Sequence, residues 1–263
     1  MEFRNSDGIR FLTFDIFPSA EVVHAVFTRQ GGLSPEPWQS LNVGGTVGDE
    51  HSRVRENRYR CFRALGRETD SMFDVWQVHS ADVVLANAPH PRFDNPPEFK
   101  ADAIITDNPA VTLFMRFADC TPILLYDPLK RAVGIVHAGW LGTVRRAAGE
   151  AVKAMKAAFG SKPSDILAAI GPAIGPDHYE VGHDVEEHVR YAFGKDAASL
   201  LHRKYGPKPH FDLWAANRLV LEQAGVEQVQ VAGLCTACHP EDWFSHRAQK
   251  GKTGRFGALI ALA

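Results

Sequence analysis

Short apolar runs constrain this chain most. Val22 to Phe27, Ala103 to Thr106, Ile123 to Asp127, Leu167 to Ile170, Val229 to Ala232 and Leu259 to Leu262 are apolar stretches too short to be buried helices. Asp74 to His79 and Val111 to Arg116 read as strands as well, and Arg131 to His137 pairs with Ile123 to Asp127 as a hairpin around Asp127-Pro128-Leu129-Lys130. Between them lie helical patterns: Ser52 to Leu65 stopped by Gly66, a long helix after Ala138-Gly139-Trp140 running to about Phe159 and closed by Gly160, Asp184 to Phe193, and Leu213 to Ala224 capped by Gly225. The intervals lack the regular ~30-residue βαβ period of doubly wound folds. The pattern predicts a mixed α/β or α+β sheet covered by helices. The Pro-rich stretch Asn87 to Phe99 reads as a surface loop rather than a linker, so a single domain over 1–263 is expected.

Charge excludes some partners. Lys and Arg total 29 against 31 Asp and Glu, a net charge of −2 that supplies no electrostatic case for nucleic acid or a membrane surface. No apolar run approaches the ~18 residues of a membrane span. The N-terminus is polar and leads into no signal-peptide core, so a cytoplasmic protein is expected. Four cysteines are too few for a disulfide scaffold at this size.

His79, Cys120 and His137 each stand at or just beyond an apolar strand, where rigid backbone meets open loop. Two imidazoles and a thiolate are a borderline-soft donor set suited to zinc or copper, and three ligands leave a fourth position for water or substrate. Two polar loop histidines and a buried cysteine is the plain alternative. Asp102 and Asp119 could orient a ligand or relay a proton, or act as turn and cap residues.

Cys235-Thr236-Ala237-Cys238-His239 is a C-x-x-C-H segment. Without an export signal it is not expected to attach haem, which leaves half a zinc site, a redox pair or an incidental role. Arg29-Gln30-Gly31-Gly32 offers a charged, glycine-rich turn to an anion, and Arg247 and Arg255 flank a basic loop that could hold phosphate; each is equally an ordinary turn or solvated loop. The turn Gly171-Pro172-Ala173-Ile174-Gly175-Pro176 could wall a pocket or simply fix a loop.

Taken in order, Thr28-Arg29-Gln30-Gly31-Gly32, Ser40-Leu41-Asn42, Gln77-Val78-His79, Ala118-Asp119-Cys120, His137-Ala138-Gly139-Trp140, Ile170-Gly171-Pro172, Cys235-Thr236, Phe244-Ser245-His246-Arg247 and Thr253-Gly254-Arg255 resemble the purine nucleoside phosphorylase family long labelled multicopper polyphenol oxidase (laccase) domain, which includes the bacterial peptidoglycan-editing factor. The resemblance runs from about residue 20 to the end. It implies a single α+β domain, a mixed sheet sandwiched by helices, with zinc (copper as the alternative) on His79, Cys120 and His137. It also implies phosphorolysis of adenosine, inosine and methylthioadenosine, with adenosine deamination at the same site. Asp119 and Cys120 then fall to catalysis, and Arg29, Asn42 and Arg247 to substrate. Leu141 and Ala248 stand where the family commonly has arginine, which weakens the expected phosphate region. Three rival readings accompany this one: a copper phenol oxidase, disfavoured because no H-x-H pair is present; a cysteine amidohydrolase on cell-wall precursors, with Cys120 as nucleophile and His137 as base; and a non-enzymatic protein whose zinc is closed by Cys235 or Cys238. Oligomeric state is left open.

Overall fold

The computed structural model describes residues 1–91 and 98–263. In chain order the strands are β1 (Glu2–Ser6), β2 (Ile9–Thr13), β3 (Val22–Phe27), β4 (Met72–Phe73), β5 (Val83–Leu85), β6 (Ala103–Thr106), β7 (Thr112–Phe117), β8 (Thr121–Asp127), β9 (Ala132–Ala138), β10 (Leu167–Ile170), β11 (Leu201–His202), β12 (His210–Phe211), β13 (Gln228–Val231) and β14 (Phe256–Leu262). The α-helices are α1 (His51–Arg63), α2 (Trp140–Val144), α3 (Ala147–Phe159), α4 (His183–Phe193), α5 (Ala197–Leu200) and α6 (Leu213–Gln223).

The expected mixed sheet is double. One six-stranded sheet runs β1-β2-β3-β14-β7-β4 and the other β13-β10-β8-β9-β6-β5. Each contains parallel and antiparallel pairs, so the fold is α+β. The sheets face each other across one core, in which Val26, Met115 and Ile260 meet Leu124, Val133 and Ile135. A second core lies between the β8–β9 sheet and helices α3, α4 and α6, and a third, smaller one lies under α1. Strands β8, β9 and β14 are buried along their whole length, as expected of strands covered on both faces. Each large aliphatic side chain fully buried in such a strand contributes about 1.5–3 kcal/mol.

Period-two alternation in β7 prepares the functional site. Leu113, Met115 and Phe117 enter the core between the sheets, whereas Phe114 packs toward α1. Arg116 has the parity of Phe114 and so emerges on the α1 side.

Two sequence expectations are corrected, and one element has no counterpart among them. Asp74 to His79 is not a strand: beyond β4 it makes one isolated bridge, Trp76 to Lys100. There the Gln77 side chain replaces a neighbouring strand, donating to the Arg116 carbonyl at 2.8 Å and accepting from the Arg116 N–H at 3.1 Å. His79 has a φ of 58°, which no strand accommodates. The long helix after Gly139 is two helices, broken where Arg146 takes a φ of 61°. The break sends Arg145 to the His79 carbonyl (3.1 Å) and Arg146 to Gln223 (2.6 Å) on α6. The β1–β2 hairpin was unexpected, although its Asp7-Gly8 turn, with positive φ at both residues, is a hairpin signal. Part of the Pro-rich stretch, residues 92–97, lies outside the described residues. No helix among the described residues is long and apolar enough to cross a membrane.

Candidate active site

Antiparallel pairing of β8 and β9 sets Thr121 opposite Ala138 and Pro122 opposite His137, which brings Cys120 beside Gly139 and within reach of His137. The third member, His79, arrives on the loop after β4. The donor atoms of His79, Cys120 and His137 all lie within 4.8 Å of one another. Gly139 leaves room for them, since a Cβ there would stand 2.7 Å from Cys120 Sγ and 3.3 Å from His79 Nδ1.

Asp102 organises two of the three. Fully buried, it takes the His137 Nδ1–H on one oxygen at 2.8 Å, which leaves Nε2 as the free nitrogen of that ring. Its other oxygen accepts the backbone N–H groups of Val78 (3.1 Å) and Ser80 (2.6 Å), pinning the left-handed turn that carries His79. Burial alone would raise the Asp102 carboxyl, but these donors hold it below the usual range. Burial likewise pushes the Cys120 thiol up, yet the adjoining imidazoles outweigh it and bring it down to about 6. Burial disfavours the His137 cation, but Cys120 and Asp102 raise it to about 9.

These residues line a cavity of about 550 Å³, within the usual range of small-molecule sites. Part of its wall is cationic. Arg58 comes from α1 and Arg116 from the α1 side of β7, and the carboxylate they share is Asp74. Arg116 ion-pairs with Asp74 directly, and Arg58 reaches it at 3.9 Å. Both arginines and Asp74 are nearly buried. Burial and the neighbouring Arg116 lower Arg58 to about 10, so it remains a cation at neutral pH. Two guanidinium groups against one carboxylate leave an excess positive charge in a sheltered wall. Arg247 and Arg255 also line the cavity, as does Tyr179, over whose ring the Arg247 guanidinium sits at 5.2 Å. Burial raises the Tyr179 phenol, which therefore stays protonated.

Not every expected site residue takes its expected place. Asn42 is fully buried and does not line the cavity; its side chain accepts the N–H groups of Gly44 (2.9 Å) and Arg255 (2.8 Å), and so shapes the wall from behind. Arg29 faces a separate hollow, its guanidinium donating to the carbonyls of Gln39 (2.6 Å) and Pro240 (3.0 Å) and resting on Phe244. Asp119 lines the cavity, but both its oxygens are engaged, one by the Thr236 hydroxyl at 2.7 Å and the other by the Arg247 N–H at 2.6 Å. Those bonds accompany its left-handed backbone (φ 77°) and tie three loops together. Leu141 and Ala248 do not line the cavity, and its cations are Arg58, Arg116, Arg247 and Arg255. Nor do Cys235 and Cys238 close the His79 site: they group with Asp177 and His178 instead.

Local sequence assigns no site role to Arg58, Arg116, Asp74 or Tyr179, although two of them carry a signal. Arg58 falls four residues from both Val54 and Phe62, on the buried face of its helix, and Arg116 interrupts the apolar run Leu113 to Phe117.

Residues 23–263 match the family described as multi-copper polyphenol oxidoreductase laccase. A Deinococcus radiodurans protein named purine nucleoside phosphorylase is 39% identical over 245 residues, covering 93% of this chain and 91% of its own length. The Bacillus subtilis purine nucleoside phosphorylase YlmD is 36% identical, covering 92% of this chain and 89% of its own. The crystal structure of YlmD from Geobacillus stearothermophilus superposes with a TM-score of 0.90 at 34% identity, over 98% of this chain and 97% of that one. The chain therefore belongs to the laccase-like family whose curated relatives are named purine nucleoside phosphorylases.

Proposed function

We propose that this chain, folded as one domain over 1–263, is a purine nucleoside phosphorylase that also deaminates adenosine and uses zinc held by His79, Cys120 and His137. The reading rests on one juxtaposition: a His/Cys/His donor set and a buried pair of arginines face the same cavity. The donor set suits zinc because it combines a thiol brought down to about 6 with an imidazole whose other nitrogen is anchored by a carboxylate. Bound zinc would supply Lewis-acid polarisation at the reacting centre and water of lowered pKa. The absence of paired H-x-H histidines argues against a multicopper oxidase.

In phosphorolysis, Arg58 and Arg116 hold inorganic phosphate by charge-assisted hydrogen bonds. Asp74 offsets one of their charges and fixes the Arg116 fork. A phosphate oxygen attacks C1′ of the ribose, the bond from C1′ to the base nitrogen breaks, and the proton of the monohydrogen phosphate passes to the departing base, so that ribose 1-phosphate and the neutral base leave. Tyr179 offers a hydroxyl donor at the cavity wall, and Arg247 closes the site beside it. Asp119 holds the Arg247 backbone rather than moving a proton. Incubation with adenosine and phosphate is expected to yield adenine, ribose 1-phosphate and inosine. Equal product from a His79→Ala variant would defeat the reading.

A second reading is favoured by the Asp102–His137–Cys120 alignment, which is the order of orienter, base and nucleophile in a cysteine amidohydrolase. It predicts activity on cell-wall precursors that survives chelator and is abolished by iodoacetamide after metal removal. The phosphorylase reading predicts loss in chelator.

A further inference from the structure

A second cluster of soft donors stands apart from the His79 group. Asp177 and His178 lie in the turn after β10, and Cys235 and Cys238 in the turn after β13. Strands β10 and β13 are parallel neighbours, so both turns leave the same end of the sheet. Ala173 and Cys235 extend the pairing as a parallel bridge, secured by Ala173 N–H to Leu234 O (3.2 Å) and Thr236 N–H to Ala173 O (3.0 Å).

The four donor atoms lie within 4.8 Å of one another. His178 Nδ1 is 3.5 Å from Cys238 Sγ, 3.8 Å from Cys235 Sγ and 3.0 Å from an Asp177 carboxylate oxygen, and that oxygen is 3.5 Å from Cys238 Sγ. Tetrahedral zinc at its ordinary bond lengths sets donors about 3.3–3.8 Å apart, a range that three of these four separations meet, the His178–Asp177 contact being shorter. The backbone N–H of Gly175 points at Cys235 Sγ at 3.2 Å, the kind of bond that steadies a thiolate ligand. A side chain at Gly175 would crowd both sides of the cluster, its Cβ falling 2.6 Å from Asp177 Oδ1 and 3.2 Å from the Cys235 Cβ. His239, the last residue of the C-x-x-C-H segment, is turned to Glu241 at 3.2 Å and stands outside the donor set.

We infer that Asp177, His178, Cys235 and Cys238 form a second, structural zinc site, distinct from the His79 group and closed by four protein ligands. A C-x-x-C pair with one histidine and one carboxylate is a thiolate-rich set that selects zinc over magnesium or calcium. Each ligand pair adjoins cavity machinery: Tyr179 follows His178, and Thr236, which holds Asp119, lies within the C-x-x-C segment. The ion therefore clips together the two turns that position Tyr179 and Asp119. This inference does not depend on the proposed activity.

The test is the zinc content of the purified full-length protein. Wild type is expected to carry about two zinc ions per chain, and Cys238→Ser and His178→Ala about one each. His79→Ala should also lose one, and should keep the ion that Cys238→Ser removes. If the His79 group holds no metal, wild type and His79→Ala carry about one zinc each, and Cys238→Ser about none, which still upholds the second site. Because Cys238 and His178 are exposed, their replacement leaves the core intact. Iodoacetamide labelling of Cys238 in the His79→Ala background should accelerate at least about tenfold after chelation. Zinc content unchanged in both Cys238→Ser and His178→Ala, or equal labelling before and after chelation, would overturn the site.

Discussion

Asp102 joins His137 to His79 without touching the second ring: one carboxylate oxygen takes the His137 Nδ1–H at 2.8 Å, and the other takes the N–H groups on either side of His79. A single buried side chain thus sets the rotation of one imidazole and the backbone that delivers the other. Replacing it by asparagine keeps the volume and removes the charge. Asp102→Asn is expected to lose about 10- to 100-fold in affinity at the His79 group, the usual range for outer-shell partners of metal ligands. Competition for zinc against a chromophoric chelator reads this directly; affinity within twofold of wild type would refute it.

Gly139 tests the packing of the same group. Its φ is −74°, so alanine brings no backbone strain there. The added Cβ would still sit 2.7 Å from Cys120 Sγ. Gly139→Ala is expected to keep its circular dichroism and melting cooperativity while losing most zinc from the His79 group, measured as metal per chain in a Cys238→Ser background.

The cationic wall makes a prediction on phosphate. Arg116→Met removes charge-assisted bonds worth about 1.5–3 kcal/mol, or ~10- to 100-fold in kcat/KM for phosphate. Deamination of adenosine, which uses no phosphate, should change much less. Steady-state kinetics with phosphate and adenosine varied separately distinguish the two, and parallel losses in both reactions would remove Arg116 from the phosphate site.

Stability should depend on pH through His24. This buried imidazole accepts the Phe14 N–H on Nε2 at 2.8 Å, and burial lowers it from 6.5 to about 4. Between those values the unfolded chain binds a proton that the folded chain excludes. The contribution of His24 is therefore complete above pH 6.5 and is lost as pH falls through about 4, amounting to about 3 kcal/mol. Urea unfolding of wild type and His24→Gln from pH 7 to 4 should show a stability difference that shrinks toward acid. A constant difference would refute the assignment.

Much of the scaffold was written in local pattern. The runs of β3, β6, β8, β9 and β10 announce themselves because strands covered on both faces must be apolar throughout. Strand β1 carries Glu2, Arg4 and Asn5 on a sheet edge and offers no such run. At Asp74 to His79 the residues Val75, Trp76 and Val78 imitate a strand, but the Gln77 side chain and the Asp102 carboxylate take the hydrogen bonds a neighbouring strand would have made.

Local pattern was enough to identify the family and to single out His79, Cys120 and His137 as candidate donors. Cys120 and His137 stood out because soft donors at the ends of apolar strands are few, and His79 because the apolar residues before it imitate a strand. Which cations share the cavity with them was settled by packing. Arg58 and Arg116 lie far apart along the chain and meet because helix period and strand parity turn both into the space between α1 and β7. Asn42, Arg29 and Asp119 sit in motifs as distinctive as the ligands, yet hydrogen bonds to backbone absorb them into the frame. A one-dimensional pattern records which groups a chain owns; whether a group meets a ligand or a neighbouring peptide depends on which direction it faces, and packing alone sets that.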